Sequence, residues 1–180
     1  MKLASSRIAV IGITSCGKST LALTLSTKLG IPFIDSDALF WASNWQKAAD
    51  YVEKMTIATE PPTWVLAGHS TAARDMVFRR ANIVVWLDYS LWTILWRLVM
   101  RTLHRWWTQE PLWGTTNRES LWVHFKLWSD ESLVHFFFKS YWRYKKVYAD
   151  ALALHPHLQL LRFRHPSETQ AWLDSLHQHS

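Results

Sequence analysis

The sequence predicts an α/β fold in which a five-stranded parallel sheet carries helices on both faces, giving three layers. Three observations predict it. Four short apolar runs, "IAVI" at 8–11, "PFI" at 32–34, "WVLA" at 64–67 and "IVVWL" at 83–87, are followed near the C-terminus by a fifth, "LQLLRF" at 158–163. Continuous apolar runs of this length suit strands buried on both faces, as a parallel sheet requires. Helical patterns alternate with the runs, so right-handed crossovers connect them. Finally, a glycine-bearing loop, "GITSCGKST" at 12–20, joins the first run to the first helix.

Taken in order, the first helix puts Leu21, Leu25 and Leu29 on one face, and Gly30 followed by Pro32 stops it. The second run leads into "IDSDALFW", the third into "GHS" and a helix bearing Arg74, Arg79 and Arg80. After the fourth run, Ser90 caps a helix on which Arg97, Arg101 and Arg105 recur at i, i+4 and i+8. "RTLHRWWTQEPLWGTTNRES" has the look of a mobile excursion, and the residues after it of one or two further helices. Beyond the fifth run, Ser167 and Gln170 have capping-box spacing for a last helix ending near Leu176. One domain over residues 1–180, with an insertion at about 102–154, is the expected organisation.

Composition is globular, with 49% hydrophobic and 19% charged residues, which excludes a disordered chain. A net charge of +6 favours phosphorylated or polyanionic partners without naming one. The single cysteine, Cys16, excludes an internal disulfide framework. The longest apolar stretch is interrupted by Asp88, Arg97 and Arg101, and the N-terminus shows no secretory pattern, so a cytoplasmic protein without a membrane partner is expected. The nine histidines have no metal-ligand spacing.

The loop matches G-x-x-x-x-G-K-[ST] at Gly12, Gly17, Lys18 and Ser19, between a strand and a helix as the motif demands. Glycines let the chain turn so that successive N–H groups, from Thr14, Ser15 and Cys16 to Thr20, face one concavity at a helix N-terminus. Lys18 is then placed to reach the β- and γ-phosphates of ATP, and the Ser19 hydroxyl to ligate Mg²⁺. The nearby helix start and Lys18 also favour a thiolate at Cys16. The fold expected is therefore the three-layer P-loop nucleoside triphosphate hydrolase fold. A guanine-specific N-K-x-D element is absent, and the chain is too short for a large ATPase machine, leaving a small kinase.

In "GITSCGKSTLALTLSTKLGIPFIDSDALFW", "WVLAGHSTAARDMVFRRANIVVWLD", "LWRLVMR" and "LRFRHPSETQAWL", the chain resembles the adenylate kinase-like P-loop kinases. The small predicted kinases called DNA topology modulation proteins are the nearest group. The resemblance implies a helical lid in the insertion, with Arg97 and Arg101, and Arg118 beyond them, neutralising the transferring phosphoryl group. It implies an acceptor-side arginine at Arg74, substrate contacts at Trp41 and Gly68, and adenine packing at Arg164. The D-S-D pattern also resembles shikimate kinase, which implies an acceptor hydroxyl on Asp37 and an outer-sphere Mg²⁺ contact from Asp35. Alternation on an extended chain would point both carboxylates the same way, and solvated loop carboxylates or a helix N-cap are the alternatives. Ala67 departs from the pattern, because these kinases often carry an acidic residue there. Asp35 or Asp88 would have to substitute.

An ATP-dependent small-molecule kinase with Mg²⁺, acting on a nucleoside, nucleotide or other hydroxyl acceptor as a monomer or weak homodimer, is the leading expectation. The alternative is a nucleotide-binding regulator of DNA topology, supported by the Trp, Arg and Lys interleaved over residues 105–146. Nucleic acid is the less favoured partner.

Overall fold

A computed structural model of the chain describes residues 3–108 and 133–176. Strands β1 (Arg7–Ile11), β2 (Phe33–Asp35), β3 (Trp64–Ala67), β4 (Ile83–Leu87) and β5 (Gln159–Phe163) form one sheet in the order β2-β3-β1-β4-β5. Every pairing is parallel, and β1 lies at the centre with Val10 beside Ala67 on one side and Ile11 beside Trp86 on the other. The helices are α1 (Lys18–Leu29), α2 (Ser36–Phe40), α3 (Tyr51–Ala58), α4 (Arg74–Arg80), α5 (Leu91–Thr108), α6 (Leu133–Ala153) and α7 (Pro166–Ser175).

Strand alternation builds the layers. Ile8 and Val10 of β1 enter one buried cluster with Leu21 and Leu25 of α1, Ile94 and Leu98 of α5, and Leu173 of α7. Ala9 and Ile11 enter the other, with Met55 of α3, Phe78 of α4 and Tyr148 of α6. Both faces of the central strands are thus covered, which is why their sequences are continuously apolar. This is a three-layer α/β architecture, with the loop after β1 feeding α1.

Most elements lie where their residues predict them. Gly30 closes α1 in the left-handed region, φ 65°, and donates its N–H to Ser26. Ser90 caps α5 by accepting the Thr93 N–H at 3.3 Å. Strand β2 begins one residue later than its apolar run, because Pro32 brings no N–H. Its carbonyl still accepts from Val65 at 2.8 Å.

Two expectations need correction. The last helix does not use a Ser167–Gln170 box: Glu168 reaches back to the N–H groups of Arg164 and His165 at 2.7 and 3.2 Å. Pro166 takes the first helical position, which moves the box two residues earlier, to His165 and Glu168, and Gln170 instead donates to Asp174. The expected excursion also starts too early, since residues 101–108 continue α5. No glycine or proline interrupts the chain before Pro111, so the helix has no reason to stop sooner. Arg118 and the rest of 109–132 lie outside the described residues, as do the side chains of Trp45 and Arg105. Among the described residues, no helix is long and apolar enough to cross a membrane.

Candidate active site

The loop after β1 is shaped by two glycines and one strained serine. At Gly12, φ 149°, a Cβ would sit 2.7 Å from Cys16 Sγ and 2.8 Å from the Leu87 carbonyl, so no larger residue fits. Gly17 caps α1 with φ 100°, and Ser15 adopts the left-handed region with φ 62°. A turn closes where Cys16 N–H donates to Ile13 O at 3.4 Å, and α1 begins with Leu21 N–H bonding Gly17 O at 3.0 Å. The first N–H groups of α1 therefore have no acceptor within the helix, and they carry its partial positive charge. Ser15 Oγ is buried in this loop without a hydrogen-bond partner among the described residues.

Three side chains fix the loop's surroundings. Lys18 donates its Nζ to Ile13 O at 3.0 Å, and its stem runs past Gly68, where a Cβ would lie 3.2 Å from Cε. Gly68 (φ 71°) follows β3, and its N–H donates to Val10 O at 2.9 Å, tying the end of β3 to β1. Arg97 reaches across from α5 to donate Nη1 to Cys16 O at 2.8 Å, with its guanidinium 5.2 Å from the centre of the Tyr89 ring. Tyr89 in turn pairs its hydroxyl with Thr169 of α7 at 2.7 Å.

These elements enclose a cleft of about 580 Å³, within the range usual for small-molecule sites. It brings together Thr14, Ser15, Cys16, Gly17, Lys18, Ser19 and Thr20 with Asp37, Arg97 and Arg101. Its far wall is α7, through Pro166, Thr169 and Gln170, joined to α1 where Lys28 Nζ donates to Leu173 O at 3.2 Å. Lys28, Pro166 and Thr169 are not marked by the sequence reading, and Gln170 is marked only as a capping residue. The signal for Lys28 is its place three turns along α1 from the loop, on the side of Thr24; Pro166 and Thr169 carry no binding motif.

Other expected residues lie elsewhere. The chain turns from β2 into α2 between Asp35 and Asp37, so strand alternation does not set their directions. Asp35 instead caps α2, accepting the Asp37 N–H at 3.0 Å, and its carboxyl is raised from the usual range by burial. Trp41 lies in a bridge with Lys47, edge-on to Phe40 at 4.9 Å, away from the cleft lining. Arg74 lines a separate groove between α4 and α6 with Asp75, Asp150 and His155. Arg164 is exposed and enters the structure through its backbone N–H to Glu168, leaving the cleft wall to the residues after it.

Cys16 is a second correction. The thiol is fully buried, and burial pushes its pKa up, against the opposing pull of Lys18 and Arg97. Desolvation of a thiolate outweighs two cations whose charge is partly directed elsewhere. Cys16 acts as a tightly fitted side chain beneath the loop, and its carbonyl is the handle for Arg97.

The strands flanking β1 end differently. Asp88, after β4, is buried and held by Arg162 (Nε to Oδ2, 3.0 Å) and by Lys145 (Nζ to Oδ1, 2.9 Å). Burial pulls the Lys145 ammonium down, but Tyr141 and Asp88 outweigh it and raise its pKa. Leu87 and Tyr89 line the cleft and Asp88 between them does not. Asp88 serves as an ion-pair node under β5. On the β3 side, His69 is buried edge-on to Phe78 and Tyr148, and burial lowers its pKa to about 4. Its ring is neutral at ordinary pH. Among the described residues, no group of three His, Cys, Asp or Glu side chains could hold a metal ion.

No family model matches the chain. No curated protein matches it either. Among solved structures, the chain is similar to one described as a "putative kinase" from Chloroflexus aurantiacus J-10-fl, at 16% identity and a TM-score of 0.49, over 98% of this chain and 99% of that one.

Proposed function

We propose that the chain binds MgATP in this cleft and transfers the γ-phosphoryl group to a hydroxyl of a small molecule, with nucleosides and nucleotides as the first acceptors to test. One observation carries the reading. The motif loop meets the start of α1 with a positive-φ Ser15 whose buried Oγ lacks a partner, beside Lys18 and Arg97. An orphaned hydroxyl, helix-start amides and two nearby cations fit a polyphosphate, for which each is a natural donor.

Bound MgATP would supply the transferable phosphoryl group and a divalent charge. The chain's residues do the rest. Lys18 exchanges its Ile13 carbonyl for phosphate oxygens, guided by the narrow passage over Gly68. Ser19, at the first turn of α1, offers its hydroxyl to the metal. Arg97 keeps the Cys16 carbonyl turned away from the anion, so that the loop presents donors. Arg101, one turn further along α5, adds positive charge on the same wall, where charge grows on the phosphoryl oxygens. Asp37 is the cleft's carboxylate from the β2 side and orients the acceptor hydroxyl or takes its proton.

The test is a screen of nucleosides, nucleotides and small hydroxyl compounds for acceptor-dependent ADP release. With a true acceptor, Lys18→Ala lowers turnover by about 10²–10³, the usual effect of losing one charge-stabilising donor. Asp37→Asn lowers kcat while ATP affinity stays within a few-fold. ADP release that is unaltered in Lys18→Ala would defeat the proposal.

A further inference from the structure

Helix α5 has two opposite characters. One side carries Arg97 and Arg101 to the cleft and buries Ile94 and Leu98 in the core. The other is apolar and open: Trp92 is 74% exposed, Trp96 66%, Val99 41%, Met100 47%, Leu103 47% and Trp107 81%, with Trp106, 44% exposed, at the edge of this group. At 100° per residue these six side chains fall within an arc of about 100° along roughly 22 Å of helix. No lysine or arginine lies in that arc, and His104 stands at its border.

Whole tryptophan side chains offer up to roughly 250 Å² each, so this face leaves on the order of 800 Å² of apolar surface open to water. That exceeds the largest patch of an ordinary monomer, about 300–600 Å². It matches the contribution of about 800 Å² that each partner makes to a standard stable interface. The spacing adds a second constraint. The six residues are arranged symmetrically about the Val99–Met100 bond. Running outward, Val99 answers Met100, Trp96 answers Leu103, and Trp92 answers Trp107. An antiparallel copy of the helix, related by a two-fold axis through that bond, therefore meets each of these side chains with its counterpart. Such self-complementarity is what an isologous contact needs.

We infer that the outward face of α5 joins two copies of this chain into an antiparallel two-fold dimer. A lipid surface gives no reason for the symmetric spacing. It would also favour basic residues bordering the apolar face, whereas Arg97 of α5 is committed to the phosphate loop on the other side. Pairing two uncharged stripes brings no like charges together. It also braces the helix that supplies the cleft's arginines.

Sedimentation equilibrium of the full chain over about two decades of concentration reads the association directly. The expected result is a dimer that high salt does not dissociate, because apolar burial is not screened. Trp96→Glu, alone or with Leu103→Glu, places carboxylates in the contact and yields a monomer with an unchanged far-ultraviolet dichroism spectrum. Should those variants fail to fold, Met100→Cys offers a milder probe. A short bismaleimide links it into a covalent dimer, while Val52→Cys on α3 stays monomeric under the same conditions, and buried Cys16 remains unreacted. A chain that is monomeric throughout overturns the inference, including one that floats with phosphatidylserine vesicles. A dimer that survives Trp96→Glu, or equal linking at Val52→Cys, overturns it as well.

Discussion

Strands β3 and β4 flank the same central strand, yet they leave the sheet by different physics. Beside β3 the chain continues Ala67, Gly68, His69, with no charge: a small residue, a left-handed glycine against the Lys18 stem, and a buried neutral imidazole. Beside β4 it continues into Asp88, a buried carboxylate engaged by Arg162 and Lys145. One flank makes room for the lysine, and the other ties β5 and α6 to the core. The difference teaches that a carboxylate at a strand end is not by itself a metal ligand. What counts is which cations already hold it. With Ala67 lacking a carboxylate and Asp88 committed, Asp37 in the first turn of α2 is left as the acid facing the cleft in the proposed reaction.

This contrast can be broken from either side. The largest effect is expected at His69. Its folded pKa of about 4 lies below the ordinary 6.5, so between those values the unfolded chain binds the proton and the folded one does not. Stability is therefore full above pH 6.5 and lost as pH falls towards 4, by up to about 3 kcal/mol. His69→Gln, followed by urea unfolding across that range, flattens the dependence. An unchanged slope would remove His69 as its source.

Next is the ionic flank. Asp88→Ala leaves two cations without their shared anion and costs about 2–3 kcal/mol. This is below the ~3–5 kcal/mol of a fully buried pair, because Arg162 and Lys145 reach solvent. MgATP affinity of the folded fraction stays within a few-fold. A selective loss of metal-dependent binding would instead restore Asp88 to the site.

Gly68→Ala is the smallest of the three. A side chain at φ 71° costs about 1–2 kcal/mol, and its Cβ crowds the Lys18 stem, so nucleotide affinity falls by a larger factor than stability alone explains. Stability loss with unaltered affinity would show that the glycine serves only the turn.

Much of this was legible in the residues, and the exceptions have physical causes. Strands β3 and β4 and most of β1 stand out because burial on both faces leaves no polar position to confuse the pattern, as Val84, Val85 and Trp86 illustrate, whereas the edge strand β5 carries Gln159 and Arg162 on a largely exposed face. The turn after β1 is legible because its backbone conformation demands glycine at Gly12 and Gly17. The wall formed by α7 is not, since Thr169 has no spacing that distinguishes it from a solvated helix face and the spacing of Gln170 points to a cap rather than to a cleft. Arg97 was found as part of a stripe, but its bond to the Cys16 carbonyl depends on tertiary packing across 81 positions. Asp35 is legible only as one of its alternatives, a helix N-cap, because alternation holds only while a strand continues, and β2 ends before Asp37.

Calorimetric titration of the folded chain with ATP and Mg²⁺ tests the phosphate-loop reading most directly. The expected result is a saturable one-site binding heat, weakened at least about tenfold in Lys18→Ala, as loss of one charge-assisted contact requires. A well-folded protein that gives no heat, or a Lys18→Ala variant that binds as tightly as the parent, would contradict it.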